Sequence, residues 1–127
     1  MNLMHLCHHL EQAQLGKVGT SIFLNMIPIN VNKGILLRNP LVGTRIDYEL
    51  SGHINTEFQV IVRTTSYEHG EELMNKVFAA LTLDQVAVGD LFVSMCYPQF
   101  QPVVYPLSDG NLLELSTDFT FVGHVEK

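Results

Sequence analysis

The 127-residue sequence contains few cysteines, few basic residues and no long apolar run. Two cysteines, Cys7 and Cys96, cannot build the dense disulfide frame of a small secreted domain. We expect two free thiols, buried as small apolar groups, although a bridge between them stays open. No apolar stretch is long enough to cross a bilayer, and no secretory leader is recognisable. The sequence therefore predicts a soluble, intracellular protein with no membrane partner.

Positive charge is scarce and unevenly distributed. The sequence contains seven Lys and Arg residues and thirteen Asp and Glu residues, which gives a net charge of -6. The imbalance falls in the second half of the chain, because nine acidic residues and two basic residues follow Tyr67. An acidic half repels phosphate, and no basic cluster interleaved with aromatics opposes it. We therefore expect no sequence-specific binding of nucleic acid and favour a protein partner.

The strand-to-helix junction lacks the signals of an α/β enzyme. A β-branched run over residues 58–65 leads through Ser66 directly into a helical pattern. The junction contains neither a glycine-rich phosphate loop nor a nucleophile elbow. The pattern predicts a long strand followed by a main helix over residues 66–81, with Ser66 as its N-cap. Gly70 should weaken this helix by about 1 kcal/mol relative to alanine.

The remaining periodicities complete the fold prediction. Apolar spacing predicts a leading helix within residues 1–16, ended by Gly16, and residues 20–27 read as a central strand. Alternation predicts an antiparallel hairpin over residues 44–65. Further strands are expected at 34–38, 91–97 and 112–122, with the proline-bounded segment 102–106 able to pair only at an edge. The length fits one domain over residues 1–127, of α+β class, with two helices packed on a mostly antiparallel mixed sheet of about six strands.

Candidate catalytic and metal sites are incomplete. His5 and His9 share a helical face and suit zinc or copper, but the intervening Cys7 turns away from them. Cys96 has no histidine that the sequence places beside it, and a packed strand residue is the simpler interpretation. Asp109 fits a turn and Asp118 the polar face of a strand, which explains both without catalysis. We expect no catalytic residue and no cofactor, and a small metal-binding or ligand-binding enzyme stays as the alternative of a different class.

Charged residues of both signs alternate along the predicted hairpin. They are Arg45, Asp47, Glu49, Glu57 and Arg63. Such a face suits register-fixing contacts with another copy of the chain. An ordinary solvated face explains the same residues equally well. The sequence thus offers these five residues as a candidate protein interface.

Four features follow one another in a recognisable order. They are the strand from Phe58 to Arg63, the helix that follows it, the segment from Pro98 to Pro106 and the final Asp118-Phe119-Thr120-Phe121-Val122. Over about residues 20–125 this order resembles the tail terminator proteins of long-tailed bacteriophages, also called minor capsid or minor tail proteins. The resemblance implies a small α/β protein without catalytic activity that forms a hexameric ring on the tail tube, ends tube polymerisation and presents a docking surface to the head.

The resemblance also implies partners and a location. The partners would be further copies of the chain, the tail tube protein and a head completion or connector protein. The location would be the head-proximal end of the tail in the virion, and the host cytoplasm during assembly. Another head-tail connector or tail-completion protein is the alternative within the same class, since size and composition do not separate the two.

Overall fold

The computed structural model describes residues 2–28, 30–40, 52–106 and 112–125. Within them the chain forms two helices and seven strands that join in one sheet, which confirms the α+β prediction. In chain order the elements are α1 (Met4–Gln12), β1 (Ile22–Leu24), β2 (Gly34–Arg38), β3 (His53–Thr64), α2 (Tyr67–Leu81), β4 (Leu83–Val88), β5 (Leu91–Pro98), β6 (Val103–Pro106) and β7 (Leu113–Val125).

The sheet is built around one long antiparallel pair. The strand order is β1-β2-β3-β7-β5-β4, and β6 pairs with β7 beside this path. The β3–β7 register runs without interruption from His53 opposite His124 to Thr64 opposite Leu113. All strand pairs named by this order are antiparallel except β1 with β2. The predominance of antiparallel pairing therefore agrees with the sequence prediction.

Both helices pack on one face of this sheet. In β7 the predicted alternation is observed, because Leu115, Thr117, Phe119 and Phe121 are all buried. The centre of the core is aromatic, with Phe119 stacked on Phe58 at a ring-centroid distance of 5.4 Å. The buried residues that α1 and α2 add to this core are Leu3, Leu6, Cys7, Leu10, Met74, Val77 and Leu81.

The leading helix ends earlier than its apolar spacing indicated. The structure has α1 over Met4–Gln12, with Ala13 as C-cap and Gln14 in the left-handed region at φ 65°. Gly16 is therefore not the helix terminator. A Cβ at Gly16 would lie 2.5 Å from Ser21 Oγ, so a larger residue there would displace the hydroxyl that accepts from the Lys17 backbone N–H.

The main helix agrees with the prediction in its bounds but not in its cap. The Ser66 side chain makes no capping hydrogen bond. Instead, the Thr64 hydroxyl donates to the Ser66 carbonyl oxygen at 3.0 Å and accepts from the Ser66 backbone N–H at 3.2 Å. The junction between β3 and α2 is thus fixed by the last residue of the strand.

Gly70 has a packing role that propensity alone does not show. A Cβ at this position would lie 2.5 Å from Thr64 Cγ2 and 2.8 Å from Leu115 Cδ1. Overpacking of this kind typically costs about 1–3 kcal/mol, which outweighs the gain of about 1 kcal/mol in helix propensity. The glycine lets α2 approach the sheet closely.

We therefore expect Gly70→Ala to lower the free energy of unfolding by about 1–2 kcal/mol, measured by urea denaturation. His69→Ala is the matched control, because His69 is the exposed neighbour in the same helix turn and its replacement should change stability by less than about 0.5 kcal/mol. A Gly70→Ala variant more stable than the parent would show that propensity decides at this position.

Two strands differ from the sequence interpretation. The segment at 20–27, expected to be central, contributes only Ile22–Leu24 and lies at one end of the described strand order. Its apolar side chains are buried by α1 and by the following loop rather than by a second neighbouring strand. The sequence interpretation also missed β4, whose residues 84–87 are all exposed and so show no buried-face period.

Only one arm of the predicted hairpin over 44–65 can be compared. Residues 41–51 lie outside the described residues, and the second arm corresponds to β3. Within the described residues β3 pairs with β2 and β7. The hairpin therefore stays a prediction.

Candidate interaction surface

The face of the sheet opposite the helices is the candidate functional surface, and we call it the open face. It consists of the alternate side chains that point away from the helix-packed core, and on β3 and β7 most of these are polar. They include Asn55, Glu57, Gln59, Ile61, Arg63, Glu114, Ser116, Asp118 and Thr120. An antiparallel sheet commonly keeps one such solvated face.

At the β1–β2 end, the open face is covered by its own loop. Phe23, Leu36 and Ile61 form a second apolar cluster, against which Ile27 and Val31 pack. The loop that carries the last two residues is thereby held on the sheet. The loop therefore shields this end of the open face from solvent.

Arg63 ties this loop to the sheet. Its Nε and Nη2 donate to Glu114 Oε2 at 3.1 and 3.0 Å, and its Nη1 donates to the carbonyl oxygens of Pro28 and Val31 at 3.2 and 3.3 Å. The Arg63 and Glu114 side chains are only 12% and 20% exposed. The Arg63 guanidinium is therefore engaged within its own chain.

The β5–β6 end of the open face carries exposed apolar side chains. Met95 and Tyr97 are 45% and 43% exposed and lie opposite Val122 and Thr120 of β7. Val103 and Tyr105 of β6 are 42% and 53% exposed and lie opposite Ser116 and Glu114. Aromatic residues and methionine are enriched at protein interfaces. A strip of such side chains on a polar face has the composition of a docking surface.

Sequence reasoning missed this strip. The signal that identifies it is the composition of residues 91–97, where both alternating faces are apolar although their neighbour β7 is polar on one face. A strand that is apolar on both faces indicates that something covers each of them. On the open face of β5, a partner protein is the candidate for this cover.

Two carboxylates lie close together beside this strip. Glu57 pairs with Thr120 and Asp118 pairs with Gln59, which makes the two acids diagonal neighbours across β3 and β7. Partial burial raises the pKa of Asp118, and the negative charge of Glu57 raises it further. At neutral pH the ionised Asp118 carboxylate therefore opposes folding of the isolated protomer.

Asp118→Asn is expected to raise the melting temperature at pH 7. A carboxyl group whose folded pKa is raised stabilises the fold below its ordinary pKa of 3.8 and loses that contribution as the pH rises through the folded value. The advantage of the variant should hence shrink as the pH approaches 3.8. Thermal melts at several pH values test this, with the exposed Asp84→Asn as control. A variant less stable than the parent at pH 7 would show that the ionised Asp118 carboxylate does not destabilise the fold.

The structure places two of the five predicted interface residues on the open face. Glu57 is exposed there, and Arg63 lies on the same face of β3. Arg45, Asp47 and Glu49 lie outside the described residues. The interface of five residues stays a prediction, with Glu57 as its accessible described member.

The histidines of α1 lie close to neighbouring elements. His9 Nε2 lies 3.0 Å from the Ala80 carbonyl oxygen at the end of α2, and His5 Nε2 lies 3.9 Å from Asp90 Oδ2. Over the described residues, no three His, Cys, Asp or Glu side chains are grouped as a metal would require. The contacts of His5 and His9 join α1 to α2 and to the β4–β5 turn.

Both thiols are free and buried, as the sequence predicts. Burial raises the pKa of Cys7 to about 11 and that of Cys96 to about 12. A thiol is nucleophilic as its thiolate. At neutral pH the two cysteines therefore behave as packing residues. Asp109, which the sequence assigns to a turn, lies outside the described residues.

Comparison with known proteins identifies the family. A family model described as bacteriophage tail terminator protein matches residues 9–124. The chain belongs to this family. The resemblance seen in the sequence is thereby confirmed, and the chain is a structural protein of the phage tail and a component of the virion.

A solved structure shares the fold. A chain of the structure titled "Virion of native gene transfer agent (GTA) particle" superposes with a TM-score of 0.65 at 12% identity, over 94% of both chains. At this identity the likeness concerns the fold alone. No curated protein matches the chain. Among the described helices of this family member, none has the length and apolar character needed to span a membrane.

Proposed function

We propose that the protein forms a hexameric ring on the finished tail tube, stops tube polymerisation and presents the surface to which the head docks. Membership of the tail terminator family is the observation that carries this proposal. The partners are further copies of the chain, the tail tube protein and a head completion or connector protein. The ring lies at the head-proximal end of the tail after assembly in the host cytoplasm.

The sheet supports such an assembly in two ways. A closed ring requires a heterologous interface, in which one surface of a protomer meets a different surface of the next. The apolar strip on the open face is one candidate surface. The exposed residues 84–87 of β4, at one end of the described strand order, are a candidate for strand addition through main-chain hydrogen bonds.

The net charge also suits the proposed position. The chain carries a net charge of -6, and its acidic residues are concentrated after Tyr67. A ring at the head-proximal end of a tail surrounds the path of the DNA. An acidic channel wall repels the phosphate backbone and keeps DNA from sticking as it passes.

The test combines mass in solution with electron microscopy of assembled tails. Light scattering of the protein with tail tubes should show association, and images should show six-fold rings at one tube end. Tubes polymerised without the protein should exceed the normal length, and adding the protein early should restore it. A chain that stays monomeric beside tubes and leaves their length unchanged would refute the proposal.

Charge reversal separates the open face from the helical face. Glu57→Lys is expected to abolish ring formation, because it places a cation beside the apolar strip. It also brings an opposite charge near Asp118, so the isolated protomer should keep its stability. Glu72→Lys is the matched control on the exposed surface of α2 and should assemble normally. Equal assembly by both variants, measured by light scattering, would exclude the open face around Glu57 as an interface.

A further inference from the structure

A small pocket lies between the N-terminal half of α2 and the segment that enters β6. Its volume is about 150 Å³. Its floor is apolar and consists of Met74, Leu115 and Val104, of which the first two are buried. A pocket of this kind accepts one side chain rather than a large ligand.

The rim of the pocket is polar and acidic. Tyr67 and Glu71, one helical turn apart, stand on one side of it, and Gln101 stands on the other. The negative charge of Glu71 raises the pKa of Tyr67, and a side-chain hydrogen bond to Glu71 raises it further. Glu71 is the charged residue among the described residues that line the pocket. Its carboxylate has acceptor positions left for a further donor.

We propose that this pocket binds an arginine side chain presented by another polypeptide. The methylene stem of arginine would lie along Met74, Leu115 and Val104, as long basic side chains do on apolar surfaces. The guanidinium would reach Glu71 and the exposed ring of Tyr67. A planar, delocalised cation both pairs with a carboxylate and stacks on an aromatic ring, whereas an ammonium ion provides only a point charge.

The Gln101 amide adds a neutral acceptor to the rim. The pocket is therefore complementary to arginine in charge and in its apolar floor. This inference does not depend on ring formation, because an arginine from any partner, including another copy of the chain, satisfies it.

The first experiment is an NMR titration of the ¹⁵N-labelled full chain with N-acetyl-arginine amide. Shifts confined to residues 67–75, 101–104 and 114–116 are expected, with saturation. The neutral isostere N-acetyl-citrulline amide should bind about tenfold more weakly, because it lacks the charge that pairs with Glu71 and faces Tyr67. Equal shifts with citrulline would overturn the proposal, and equal binding of N-acetyl-lysine amide would overturn the assignment to arginine.

A pair of adjacent glutamates supplies the matched variants. Glu71→Gln should weaken binding of the arginine probe by up to about fivefold, whereas Glu72→Gln makes the same change in net charge outside the pocket and should leave it unaltered. Tyr67→Leu should also weaken binding, because it removes the ring and keeps an apolar side chain. Unchanged spectra elsewhere confirm that the variants fold. An equal effect of the two glutamate variants would show a general charge effect and refute the pocket.

Discussion

Phe119→Ala is expected to lower the free energy of unfolding by about 3–5 kcal/mol, which is the usual cost of removing a buried aromatic ring. Phe119 is fully buried, stacks on Phe58 at 5.4 Å and meets Phe78 edge-on at a centroid distance of 5.7 Å. Its ring therefore connects β7 both to β3 and to α2. A domain of this size is stable by about 5–15 kcal/mol, so the variant should be close to the limit of folding.

Urea denaturation and thermal melts measure this loss, which should appear as a decrease of about 10–20 °C in melting temperature. Phe100→Ala is the matched control. Phe100 is 43% exposed, and its carbonyl oxygen, which accepts from Thr117 Oγ1, survives the substitution. We expect the control to lose less than about 1 kcal/mol. A Phe119→Ala variant as stable as the control would mean that the aromatic stack is not the centre of the core.

Strong local patterns made the central elements predictable. The period of two in residues 113–121 and the apolar spacing of 73–81 each report a one-sided environment, and the structure confirms both β7 and α2. The two elements meet across one core. Because each pattern is local and strongly periodic, sequence alone determines the face that it buries.

Elements that depend on distant neighbours were not predictable in the same way. The position of β1 at one end of the strand order is set by its parallel pairing with β2, which no local signal in residues 20–27 indicates. The role of Gly70 depends on Thr64 and Leu115, and the latter is far away in sequence. Propensity gives the cost of a helical glycine but not the contact that requires it.

The candidate surface shows the same limit. The alternation of β3 places Glu57 and Arg63 on one face, as the structure confirms. It does not reveal that Arg63 is engaged by Glu114 and by a loop some 30 residues earlier, or that the exposed apolar side chains gather on β5 and β6. Both features depend on the order of the strands in the sheet, which no local sequence pattern indicates.

Arg63→Met is expected to lower the free energy of unfolding by about 2–4 kcal/mol. The substitution keeps most of the apolar stem but leaves the Glu114 carboxylate, 20% exposed, without its cation. It also removes the donors to the carbonyl oxygens of Pro28 and Val31, so the loop should detach more easily. The exposed pair Lys76–Glu72, with a 3.9 Å separation, is the control, and Lys76→Met should cost less than about 0.5 kcal/mol.

A double-mutant cycle separates the ion pair from the loop contacts. If charge left unpaired on Glu114 causes most of the loss, Arg63→Met combined with Glu114→Gln should recover a large part of it. If the carbonyl contacts dominate, the double variant should stay as unstable as Arg63→Met, and hydrogen exchange in residues 25–33 should accelerate in both. A stability of Arg63→Met equal to that of Lys76→Met would show that neither set of bonds fixes the loop, and that the apolar cluster of Phe23, Leu36 and Ile61 alone holds it on the open face.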